Sequence, residues 1–268
     1  MRNFFKLLWY NVVDLTHHKS FYVMLTISLL MVLLLRGCYK QEYVVNGARV
    51  NSVTVAWHAS IAAFHVIAAG SLLIALFLSL GGFRRDRDDG SVGYILSRPV
   101  KRLEYVLAKI AGQWIVATLF MVVLHATIVV VAYANSGGFI PGYLTASALC
   151  SLNVLFVVVM VNIVSLVLPD FAAALITLAV LGIGFFSESF HIMAGSELVK
   201  KAIPQAIDHP SLWRILWPKI TSVQYFAVTF INNGSFQCMG PVHPLVNILG
   251  YSALLTVLLI WKFNREEL

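Results

Sequence analysis

The sequence predicts an all-α polytopic membrane protein with six transmembrane helices, on three observations. Of its 268 residues, 59% are apolar and only 12% are charged. Mean hydropathy is +0.83, which means more apolar surface than one soluble core buries. Six apolar runs recur along the chain between short polar or charged connections.

Residues 1–20 place Phe5, Leu8, Trp9, Val12 and Leu15 at three- and four-residue steps, with Arg2, Lys6, Tyr10, Asp14 and His17 largely opposite. That periodicity predicts an amphipathic interfacial helix with Trp9 at head-group depth; a solvated lead-in to the first span is the alternative. The first span is 21–35, followed by Arg36-Gly37-Cys38-Tyr39-Lys40 and no small-residue cleavage pattern, so it reads as retained. At 1.5 Å per residue it reaches only about 22 Å, so Lys19 and Arg36 must snorkel to the two surfaces. A polar loop follows to residue 55, and Asn46-Gly47 in it signals a short hairpin.

The second span is 57–80, ended by Gly81-Gly82, and a charged island occupies 84–104. The third span, 105–134, has Lys109 and Gln113 near its start, and the uncharged turn Asn135-Ser136-Gly137-Gly138 with Pro141-Gly142 leads to the fourth, 143–168. Pro169-Asp170 interrupts the apolar pattern for two residues, so the fifth span, 171–186, folds back on the fourth as a tight hairpin. In 188–243, Pro204, Pro210, Pro218, Pro241 and Pro244 keep every apolar piece shorter than a span. That external segment is expected to hold short helices at 196–203 and 211–217 and an interfacial or half-inserted helix at 220–231. The sixth span is 245–261, and residues 1–268 read as one membrane domain.

Twelve of the 19 Lys and Arg fall before the first span, between residues 84 and 109, or at the C-terminus. Four of the remaining seven lie in the long 188–243 segment, where charge influences topology least, so both termini and the island are expected in the cytoplasm. The formal charge of +7 then points to anionic head groups and a cytoplasmic protein as partners, with no nucleic acid.

The chain has no GxxxxGK[ST] phosphate loop, HExxH, GxSxG or strand-bound GxGxxG. Any energy from ATP must come from a partner. Within the island, Asp88 and Asp89 stand where a helix N-terminus favours carboxylates, and Val92, Ile95 and Leu96 form one apolar face. Pro99 stops the helix by constraining Arg98, and Lys101 and Arg102 return the chain to the lipid surface. Such a helix, over 89–97, suits a groove in a cytoplasmic subunit; a basic loop that only fixes topology is the alternative.

Asp89-Gly90-Ser91-Val92, then Leu96-Ser97-Arg98-Pro99-Val100-Lys101-Arg102 and Tyr105-Val106-Leu107-Ala108-Lys109, resemble the cytoplasmic signature of type-2 ABC transporter permeases. Ser91 stands where that signature has threonine, and Ala108-Lys109 where it has Gly-Lys. The six-span layout and the external segment before the last span are similar too. The resemblance implies a non-catalytic permease subunit of an ABC exporter in the cell membrane, the bacterial inner membrane being the expected one. It implies that Asp89, Gly90, Val92, Ile95, Leu96, Arg98 and Pro99 couple to ATPase subunits, with Lys101, Arg102 and Lys109 as interface anchors. No cofactor is implied in the chain, since ATP and Mg belong to the partner ATPase, and a homodimer or a heterodimer with a related permease is expected.

Two other readings stay open. His58 and His65, seven apart on one face of the second span, and His125 in the third are candidate axial ligands of a haem- or quinone-binding redox subunit, or simply polar groups pairing between helices. A permease-like scaffold that transmits mechanical work through 188–243 without moving a solute is the other. Gln113, Asn153, Asn162 and Asn247 could line a path or bond helix to helix. Cys38 and Cys238 both fall outside and could pair, and Asn233-Gly234-Ser235, an acceptor pattern for glycosylation, reads as a turn.

Overall fold

The computed structural model describes residues 2–37, 44–45, 48–49, 52–97, 100–136, 140, 142–194, 216–236 and 242–265. Helix α1 (Arg2–His17) meets α2 (Lys19–Leu34) at a bend of 65°. Strands β1 (Val44–Val45) and β2 (Ala48–Arg49) pair antiparallel, Val44 opposite Arg49, which is the expected hairpin. Helices α3 (Ser52–Ser79), α4 (Gly82–Asp88), α5 (Ser91–Leu96), α6 (Arg102–Ser136), α7 (Tyr143–Val167), α8 (Asp170–Ala194), α9 (Ile220–Asn232) and α10 (Pro244–Arg265) follow. The short helices expected at 196–203 and most of 211–217, and both Cys38 and Cys238, lie outside the described residues.

Among the described residues, five helices are long and apolar enough to cross a membrane, with α3 and α4 taken as one, and a sixth if the bent α1–α2 pair is one span. The fold is an all-α polytopic membrane protein. The 16 residues of α2 reach about 24 Å, short of a roughly 30 Å hydrocarbon core, which is the shortfall the first apolar run already showed.

Helix α7 is the hub, packed against α3, α6, α8, α9 and α10. Its buried residues include Ala146, Ser147, Cys150 and Ser151, small side chains at helical spacing that let neighbouring backbones come close where apolar burial gives no drive to associate. Its lower half buries Val154, Val157, Val158 and Val161. The outward residues of α8, such as Phe171, Leu175, Ile183 and Phe186, are exposed and apolar, as a lipid-facing surface must be.

Helix α9 runs from inside the bundle toward one end of it. Asn153, halfway along α7, donates from Nδ2 to the Ile220 carbonyl at 2.9 Å, so α9 starts deep in the bundle. Its last residue, Asn232, accepts from Trp57 Nε1 at 3.1 Å near the start of α3. Asn233 caps α9 in the left-handed region at φ 50°, and Gly234 N–H returns to the Thr229 carbonyl at 3.1 Å, so Asn233-Gly234-Ser235 is a turn.

Gly142 has φ +78°, and a Cβ there would collide with the Phe230 carbonyl of α9. Gly142→Ala therefore combines a left-handed penalty of roughly 1–2 kcal/mol with a backbone clash. It is expected to lower the melting temperature of the detergent-solubilised protein, whereas Gly234→Ala, with nothing within 4 Å of its Cβ, leaves it unchanged.

Candidate functional site

The charged island folds as two short helices, not the single one expected over 89–97. Asp88 ends α4, and Asp89 caps it with its N–H on the Arg85 carbonyl at 2.9 Å. Gly90, at φ +71°, breaks the helix before α5 begins at Ser91. The carboxylates expected at a helix N-terminus thus sit at a C-terminus, where Arg85 and Arg87 in the last turn offset them.

Position along α4 and α5 decides which island residues face inward. Phe83 and Asp86, three apart, share one face of α4, and Phe83 is 2% exposed. Tyr105 and Lys109, four apart, share a face of α6. Asp86 Oδ2 accepts from the Tyr105 hydroxyl at 2.5 Å and forms an ion pair with Lys109 Nζ. The Phe83 ring meets Tyr105 edge-on at 5.9 Å and Phe263 of α10 at 5.6 Å. Arg102 donates to the Asn264 carbonyl at 3.2 Å, so the last turn of α10 is held at the same end.

Lys109, expected as an interface anchor, is only 8% exposed, because Asp86 draws its ammonium inward. Lys101 is exposed and Arg102 half-buried. Val92 is 2% exposed and holds α5 to the body, while Gly93 and Tyr94, the latter 65% exposed, face outward. Ile95 is half-buried, and Asp89 and Gly90 are exposed. The side chains of Leu96, Arg98 and Pro99 lie outside the described residues. A cavity of about 680 Å³ opens between α1 and the island, walled by Lys6 and Asp14 on one side and by Arg85, Asp89 and Tyr94 on the other, with Asp86 and Lys109 also in its lining.

One turn deeper, Asn162 of α7 donates from Nδ2 to Gln113 Oε1 of α6 at 2.5 Å and to its own Val158 carbonyl at 2.8 Å. This pair sits beside Gly82: a Cβ there would lie 2.6 Å from Gln113 Nε2 and 3.3 Å from Lys109 Cε. Asn153 and Asn247 also bond between elements, Asn247 Oδ1 accepting from the Lys219 N–H at 3.0 Å. Each of these amides joins one helix to another.

The histidines do not converge on a ligand. His58 Nδ1 donates to its own Thr54 carbonyl at 2.9 Å, and His65 Nδ1 to Gln224 Oε1 at 3.4 Å. Buried His125 has both nitrogens engaged, Nδ1 accepting from Ser147 Oγ at 2.8 Å and Nε2 donating to the Phe64 carbonyl at 3.4 Å. Among the described residues no group of three His, Cys, Asp or Glu could hold a metal ion.

Two acids that sequence reasoning left unassigned matter here. Asp86 was one of three acids in a dense charge run, and the signal that singles it out is the Tyr105–Lys109 pair one turn apart on α6. Glu188 of α8 accepts from the Ser222 N–H at 2.9 Å and from Ser222 Oγ at 2.7 Å, capping the deep N-terminus of α9.

Interhelical bonds in membranes average about 0.6 kcal/mol in double-mutant cycles. Gln113→Leu and Asn162→Leu are each expected to destabilise the solubilised protein, and the double variant by less than their sum, read as thermal midpoints. Strict additivity would mean that the contact carries no coupling.

The sequence matches the family model for "ABC-2 family transporter protein" over residues 23–268. No curated protein matches it at a significant level. A multi-pass helical fold and a family match over nearly the whole chain lead to one conclusion: the chain belongs to the ABC-2 transporter family and is a membrane subunit of an ABC transporter.

Proposed function

We propose that this subunit is the exporting permease of its transporter, with the island end in the cytoplasm and α5 as the element on which an ATPase subunit docks. The family implies ABC ATPase partners, and this chain has no phosphate loop of its own, so the work must enter through a surface. The observation that carries the reading is the two-sidedness of α5: Val92 buries one face while Tyr94, at the wall of the open cavity beside α1, stands 65% exposed on the opposite one. An exposed aromatic on a helix held rigid from behind is a good anchor for a groove, because little side-chain freedom is lost on docking.

Cytoplasmic placement rests on the Lys and Arg excess around the island. The start of α6 and the end of α10 meet the island at the same end. Two ATPase subunits, each needing one α5, require two permeases related by a two-fold axis, as a homodimer or with a related permease.

The test is co-purification from membranes with the ATPase subunit. Tyr94→Asp is expected to weaken binding roughly 30-fold, the effect of losing a hot-spot aromatic worth about 2 kcal/mol, while insertion is kept. Ser235→Asp, exposed at the far end, should bind as the parent does. Undiminished binding by Tyr94→Asp would remove α5 as the docking element.

A further inference from the structure

We propose that Asp86, Tyr105 and Lys109 are positioning residues that carry displacement of the docking helix into α6, with Gly81 as the joint about which α4 turns. This rests on the reading of α5 as the ATPase dock.

The island holds together as one body. Ser91 Oγ donates to the Asp86 carbonyl at 2.9 Å, the Gly90 N–H to the Arg87 carbonyl at 3.0 Å, and Val92 is buried beneath α5. Besides the chain itself, which runs on from α5 into α6 through Lys101, two connections lead from that body into the membrane. One is the backbone at Leu80 and Gly81, where α3 ends and Gly81 adopts φ +66°. Gly81 has no side chain of its own to restrict the turn, and none fits: a Cβ there would lie 2.8 Å from Asp170 Oδ2. The other connection is made of side chains, Asp86 held by two donors of α6 and Phe83 set against Tyr105 and Phe263.

Force on α5 therefore meets a glycine joint toward α3 and a charged, mostly buried clasp toward α6. The clasp resists separation because parting it would leave Lys109 and Asp86 charged in a place of low dielectric. Helix α6 has 35 residues, about 52 Å, so a small tilt imposed at Tyr105 and Lys109 moves its far end by a larger distance. Asp86 faces polar groups of α1 as well: Asn11 and Asp14 of α1 and Arg85 of α4 share with it and Lys109 a space of about 30 Å³.

A purely structural clasp and a transmitting one differ in what nucleotide does at a distance. The experiment uses the full complex of the chain with its ATPase subunits in lipid vesicles. A bimane fluorophore is placed on Tyr133→Cys, an exposed position near the far end of α6, with the native cysteines replaced. The shift in emission on adding ATP and vanadate is then measured. In the parent a shift is expected; in Asp86→Asn and Tyr105→Phe it should fall by roughly two- to thirty-fold, the range for residues on a coupling route, with the ATPase still bound. The exchange Asp86→Lys with Lys109→Asp should bring it back. Should Asp86→Asn fail to accumulate, Tyr105→Phe, which removes one hydroxyl and keeps the ion pair, decides alone. A full shift in Tyr105→Phe and Asp86→Asn overturns the proposal. A parent that binds no ATPase would instead overturn the docking reading on which it rests.

Discussion

One carboxylate fastens the charged end of this protein to its membrane helices. Asp86 lies on the inner face of a seven-residue helix and takes bonds from two residues one turn apart on α6, a phenol and an ammonium. Removing one partner of a buried ion pair costs about 3–5 kcal/mol because the other charge is stranded. The Lys109 and Asp86 side chains are 10% and 21% exposed, so water offsets part of that here. The same cost makes the pair a directional constraint: α4 sits in one register against α6, and α5, tied to it across Gly90 by the Ser91–Asp86 bond, presents Tyr94 in one direction. Tyr105 also lies against Phe263, the rings 5.6 Å apart and tilted by 30°, so the island, the third span and the last span share one cluster.

Deeper in the bundle the governing constraint is the absence of water. Buried amides must turn to protein partners, and Asn153, Asn162, Gln113 and Asn247 each bond across helices, although the Oδ1 atoms of Asn153 and Asn162 accept no bond. Helix α9 is the severest case, since its first N–H groups open inside the bundle. Glu188 and Asn247 accept from that end, through Ser222 and Lys219, and Lys219 Nζ reaches the Val242 carbonyl at 3.1 Å. Such bonds are individually modest, so they fix which residues face each other more than they set total stability.

Much of this was legible in the sequence because the bilayer demands long apolar runs. Each of those runs falls on a helix, three of them overrunning its end by one residue, and the Pro169-Asp170 break becomes the corner between α7 and α8. The half-inserted reading of 220–231 follows from five prolines that left no room for a span. Charge placement was harder to read. In Arg84-Arg85-Asp86-Arg87-Asp88-Asp89 any acid could have faced inward, and only the length of α4, set by Gly81 and Gly90, decides for Asp86. The same glycine moved Asp88 and Asp89 from the start of one helix to the end of another. Lys109 looked like an interface anchor because its partner is 23 residues away and invisible to local periodicity.

The central claim, that α5 is the surface through which an ATPase drives this subunit, is tested most directly by photocross-linking in intact membranes. A benzophenone amino acid replaces Tyr94 in one strain and Tyr133, exposed near the far end of α6, in another. The account predicts a covalent adduct with the ATP-hydrolysing subunit from position 94 and none from position 133. Adducts from both positions, or none from position 94 when the two proteins are shown to associate, would contradict it.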